Sequence, residues 1–164
     1  MKWEKILRIV EEQENVLHFK HFTNEDAWEV GNIIVEEARK NKFPAAISIR
    51  LNNGFTVFQY GFNGTGLDHE NWMKRKENTV KVKAMSSMRA EAILKTQGIT
   101  LADWFLESKD FSTCGGGFPI HVDGVGIIGT IIVSGISVIM DHELIIEGLC
   151  KYLKVESLER IKED

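Results

Sequence analysis

Ala45-Ala46-Ile47-Ser48-Ile49-Arg50-Leu51-Asn52-Asn53-Gly54-Phe55-Thr56-Val57-Phe58-Gln59-Tyr60 is the stretch that decides the fold. Ile47, Ile49 and Leu51 alternate with Ala46, Ser48 and Arg50, the period-two pattern of a strand with one buried face. Asn53-Gly54 supplies the positive φ of a tight turn, and Phe55–Tyr60 returns alongside. A second hairpin follows the same logic: Phe118–Val122, a turn at Asp123-Gly124, then Val125–Gly135.

Helical spacing surrounds these hairpins. Trp3, Ile6, Leu7 and Val10 form the stripe of an amphipathic first helix that docks on another element. Thr23-Asn24-Glu25-Asp26 is a capping start, Ala27, Gly31, Ile34, Val35 and Ala38 make the buried stripe behind it, and Asn41 and Pro44 end it. The spacing predicts a long helix from about His69 to Lys95 before Gly98, a short helix over Thr100–Glu107, and a loop from Lys109 to Gly117. Asp141 is expected to cap a last helix carrying Leu144, Ile145, Leu149 and Leu153. The charged tail, Glu156–Asp164, is expected to fray.

Two hairpins separated by helix give an α/β (α+β) fold, a single domain over 1–164 with an antiparallel sheet flanked by helices. The layout resembles a profilin-like domain. Strict strand–helix–strand alternation is absent, and so is a linker rich in proline.

Composition narrows the function. Of 164 residues, 43% are hydrophobic and 27% charged, ordinary for a folded soluble chain. A net charge of −4 argues against a nucleic-acid partner. The start, Met1-Lys2-Trp3-Glu4-Lys5, lacks the apolar stretch of a secretory signal. Ile127–Val133 is too short for a membrane span. Two cysteines, Cys114 and Cys150, suit a reducing compartment, so a cytoplasmic location is expected.

Familiar motifs fail on context. Gly124-Val125-Gly126-Ile127-Ile128-Gly129 matches a dinucleotide fingerprint, but β-branched Thr130-Ile131-Ile132-Val133 follows instead of a helix. His69-Glu70 and His142-Glu143 lack the second histidine of a zinc protease, since Met73 and Ile146 occupy its place. No C-x-x-C is present, and neither Ser134 nor Ser137 lies in a nucleophile elbow. Cys114 reads as a plain loop thiol. No nucleotide or zinc motif remains.

Three constellations do. Trp72, Arg75, Lys76 and Thr79 share one helix face, which suits either an anion with a flat apolar part or a solvated first turn. Gly115-Gly116-Gly117-Phe118 allows backbone N–H groups to approach a ligand, or lets a loop cross close to a strand. His142 follows Asp141 near a helix start, where a lone histidine is more often structural than a ligand, though histidine is also the usual ligand of haem iron.

Phe22 with Asp26-Ala27-Trp28, Pro44–Arg50, Asn63-Gly64-Thr65, Asn71–Lys76, Gly116–Ile120, Gly126–Gly129, Val133-Ser134-Gly135 and Asp141-His142 form an ordered set. In that order they resemble the haem-degrading-domain family (GlcG/HbpS-like), in its cytosolic subgroup, over about 19–153. The resemblance implies a profilin-like domain in homo-oligomers, linked to haem binding and, in some relatives, to slow haem degradation. It also implies protein partners for some relatives. The chain departs from the subgroup pattern at Leu67-Asp68-His69 and at Asn63.

The leading expectation is a cytoplasmic homo-oligomer that binds a small anionic ligand, with haem as the candidate cofactor. Arg75, Lys76 and Gly115, Gly116 and Gly117 would hold carboxylates, and Trp72 and Phe118 would offer flat contact. His142, or otherwise His121 or His69, would meet haem iron. The alternative is a non-catalytic adaptor or assembly protein, whose glycine loop and Trp72 face pack against protein partners.

Overall fold

The structure is a computed structural model describing residues 2–163. It contains helices α1 (Trp3–Val16), α2 (Asn24–Lys40), α3 (Leu67–Lys83), α4 (Ser87–Gln97) and α5 (Val138–Leu153). Strands β1 (Ala46–Leu51), β2 (Thr56–Gly61), β3 (Gly117–Val122) and β4 (Gly126–Ser134) form one antiparallel sheet in the order β2-β1-β4-β3.

The alternation in β1 and β4 sorts the side chains onto two faces. Ile47, Ile49, Ile131 and Val133 pack with Val30, Ile34 and Ala38 of α2 and Ile145 and Leu149 of α5. On the other face Ala46 and Ile132 pack with Met73 of α3. Ser48 and Arg50 share that second face by register. Helix α1 buries Ile6, Ile9 and Val10 against Met88 and Ala92 of α4 and Ile139 of α5, which is the docking its stripe predicts.

The two outer strands differ. Strand β3 is buried along most of its length, with Gly117 N–H donating to Ser87 Oγ at 2.9 Å and Phe19 bridging to Val122. Strand β2 is mostly exposed and has no further strand beside it among the described residues.

Four expectations are corrected. The long helix is two: Ala84 turns left-handed (φ 54°), and Ser86 then caps α4 by accepting from Arg89 N–H at 3.0 Å. Ser137, not Asp141, caps α5, accepting from Met140 N–H at 3.1 Å. The tail is docked through residue 163 rather than frayed: Ile161 is buried, Arg8 bonds Glu159 at 2.9 Å, and Arg160 grips Glu143 and Glu147. Asp164 lies outside the described residues. The short helix narrows to a 3₁₀ turn over Leu101–Trp104.

Candidate functional site

The predicted residues separate into an interior group and a surface group. Lys76 enters the fold, its side chain 2% exposed, and its Nζ donates to Val133 O at 2.9 Å and to Asp141 Oδ2 at 3.1 Å. Asp141 also accepts the Ile136 N–H at 2.9 Å. Burial raises the Asp141 carboxyl above its ordinary value, against the pull of the Lys76 ammonium. The glycine loop presses on this pair. A Cβ on Gly115 would lie 2.1 Å from Val138 O, and one on Gly116 (φ 117°) would lie 2.3 Å from Val133 O and 2.8 Å from Lys76 Nζ. The glycines thus make the close crossing that was one of their two readings. Phe118 is buried on the opposite face of the sheet, in the α2–α5 core.

His142 is fully buried, its Nε2 2.7 Å from Gln13 Oε1. Burial lowers its pKa from 6.5 to about 4; the Glu143 carboxylate pulls upward and Arg160 downward by less. A histidine with a depressed folded pKa contributes stability above its unfolded value and loses it as pH falls. About 2.5 pH units at 1.36 kcal/mol each make this about 3 kcal/mol. Chemical denaturation is therefore expected to show wild type losing about 3 kcal/mol relative to His142→Asn between pH 6.5 and pH 4. Parallel pH profiles would contradict this.

The surface group is Trp72 with Arg75. Both are half-buried, and the Arg75 guanidinium carbon lies 4.3 Å from the centre of the Trp72 ring. Arg75 Nε donates to Ser108 O at 2.9 Å, which fixes the plane of the guanidinium. No carboxylate among the described residues pairs with Arg75. A second pair that sequence reasoning missed, Lys83 over the Trp104 ring at 3.9 Å, continues the motif along α3. The 21-residue separation of Lys83 and Trp104 gave no local signal.

The histidines provide a test of fit to haem. His69 Nδ1 accepts the Gly66 N–H at 3.2 Å, and Gly135 packs against the ring. His18 and His121 stack at 3.9 Å, and His18 also bonds Asp123. His21 bonds Asp26 at 3.0 Å. Among the described residues, five of the surface clefts, of about 260 to 720 Å³, are lined by no histidine, and Trp72 and Arg75 lie outside them on open surface. One chain as arranged does not present an imidazole in a cleft to a haem iron.

This topology, with α2 and α5 on one face and α3 on the other, defines a profilin-like α+β domain. The family model described as haem degrading protein HbpS-like matches residues 22–150, and the chain belongs to that family. A UPF0303 protein of Streptomyces avermitilis is 35% identical over 145 residues, covering 88% of each chain. Another, of Paraburkholderia xenovorans, is 38% identical over 148 residues, covering 90% of this chain and 89% of that protein. The crystal structure of Ybr137w protein superposes with a TM-score of 0.82 at 25% identity, covering 90% of this chain and 87% of that one. The PduOC:heme complex superposes with a TM-score of 0.66 at 21% identity, covering 84% and 99%. No helix among the described residues is long and apolar enough to cross a membrane.

Proposed function

We propose that this chain is a cytoplasmic homo-oligomeric protein that binds a small anionic ligand, with haem as the candidate. The observation that carries the reading is Arg75, laid on Trp72, anchored at Nε and paired with no carboxylate among the described residues. Its Nη edge suits a ligand carboxylate in bidentate contact, and Trp72 suits a flat body beside it. The family description supports haem, a flat molecule carrying carboxylates. Lys76, Gly115–Gly117 and Phe118 hold the strands and helices behind this surface, and His142 holds α5 to α1.

With no imidazole lining these clefts, recognition rests on the carboxylates and the flat body. Iron-free protoporphyrin IX should therefore bind as well as hemin. Haem degradation, the activity in the family description, needs oxygen and a reductant beside the bound haem. It would be read as loss of the Soret band when ascorbate is added.

A second reading, the adaptor, is favoured by exposed apolar side chains: Phe105 is 95% exposed and Leu67 88%. Such residues suit a subunit or partner contact. One variant separates the two. Arg75→Gln is expected to weaken hemin binding about tenfold to a hundredfold, from loss of a charge-assisted contact of about 1.5–3 kcal/mol. Oligomer mass should stay unchanged, and melting temperature should fall by only a few degrees, because the Trp72 stack and the Ser108 hydrogen bond lie at the surface and contribute about 0.5–1 kcal/mol each. The adaptor reading expects unchanged affinity and a smaller mass by light scattering.

A further inference from the structure

A polar cleft of about 540 Å³ lies between α3 and the β1–β2 hairpin. Four of its helix residues, Glu70, Lys74, Glu77 and Lys81, project roughly opposite to Trp72 and Arg75 at 100° per residue, and the fifth, Asn78, stands at the border between the two faces. It is therefore distinct from the surface described above. Its floor is Arg50, whose side chain is only 8% exposed.

Three neighbours orient Arg50. Its Nε donates to Ser48 Oγ at 3.0 Å, and its Nη2 donates to Gln59 Oε1 at 3.3 Å and to Glu70 Oε2 at 2.6 Å. Nη1 makes no hydrogen bond within the described residues. Ser48 also donates to Gln59 Oε1 at 3.0 Å, so the sheet side of the network is braced. Glu70 is different: its side chain is 42% exposed and stands on the first turn of α3, free to turn outward. Lys74 and Lys81 are exposed on the rim, and no carboxylate among the described residues pairs with either. Glu77, though buried, forms no ion pair there. Three cations thus face two carboxylates, one of which already occupies the guanidinium.

We propose that this cleft binds a compact oxyanion carrying at least two negative charges, a dicarboxylate or a phosphate, which takes Arg50 by displacing the Glu70 carboxylate. Displacement sets the charge. A monoanion only exchanges places with Glu70, whose tether gives it an effective concentration on the order of millimolar. A dianion also engages Lys74 and Lys81, which Glu70 leaves unpaired. The largely polar lining selects against a porphyrin, whose faces need apolar contact.

Calorimetric titration of the full chain with inorganic phosphate, succinate and acetate tests this. Saturable binding of phosphate or succinate is expected, and acetate should not compete at equal concentration. Whichever dianion saturates identifies the phosphate or the dicarboxylate arm. Glu70→Gln should tighten that dianion about tenfold by removing the internal competitor, and Lys74→Gln with Lys81→Gln should weaken it about tenfold. These exposed lysines can be changed without unfolding the protein, which Arg50 does not guarantee. Arg75→Gln should be silent in this assay, so failure here and failure of the Arg75 site are distinguishable. No saturable dianion binding to wild type or Glu70→Gln overturns the proposal. So does equal affinity of wild type and Glu70→Gln, or indifference to loss of both lysines.

Discussion

Gly116→Ala is expected to destabilise the fold by about 4 kcal/mol or more, a large share of the roughly 5–15 kcal/mol margin of a typical domain. The φ of 117° is one that side chains rarely adopt, costing on the order of 1–3 kcal/mol. The new methyl would also meet Val133 O at 2.3 Å and Asp141 Cβ at 2.9 Å. The loop cannot back away freely, because Gly116 O accepts the Val133 N–H at 2.8 Å and Gly117 N–H is held by Ser87. Gly124→Ala provides the contrast. Its φ of 76° carries strain, but nothing lies within 4 Å of the added atom. It should cost only about 1 kcal/mol. Urea unfolding of both variants reads the difference, and matching midpoints would show that the close approach is not felt.

Lys76→Met should cost about 3–5 kcal/mol at pH 7, because it strands a buried carboxylate. Burial is the largest influence on Asp141 and raises its pKa; Lys76 is the next and opposes it. Removing Lys76 therefore moves the carboxyl further up. For a group whose folded pKa is raised, the stability contribution is full below the unfolded value, here 3.8, and is lost as pH rises through the folded value. The variant should thus regain stability relative to wild type on acidification toward pH 4. Adding Asp141→Asn should restore much of the loss at pH 7. A Lys76→Met protein with wild-type stability at neutral pH would show that water reaches Asp141.

What was legible in the sequence was local. Asn53-Gly54 and Asp123-Gly124 name their turns because Gly54 (φ 97°) and Gly124 (φ 76°) adopt what only glycine takes readily. Thr23 and Asp26 name the start of α2 for a similarly local reason, a reciprocal capping box. The division of α3 from α4 was hidden because Ala84, a strong helix former, takes the left-handed position; Ser86-Ser87 was the available signal. The interior of the predicted site was hidden by distance. A lysine reads as solvated until Asp141, 65 positions later, folds against it. The structural reading of His142, set beside iron ligation, had no local support, because its partner, Gln13, sits 129 positions earlier on α1. Arg50 reads as the polar face of a strand, and nothing local indicates that Glu70 closes over it.

Among the described residues the sheet offers one free margin. Ser87 and Phe19 close off β3, whereas β2 has none beyond it among the described residues. Two chains that joined through β2 would each use up their exposed backbone in the union. Growth by strand addition would stop at the pair, where a sheet open at both margins could add chain after chain into a fibre.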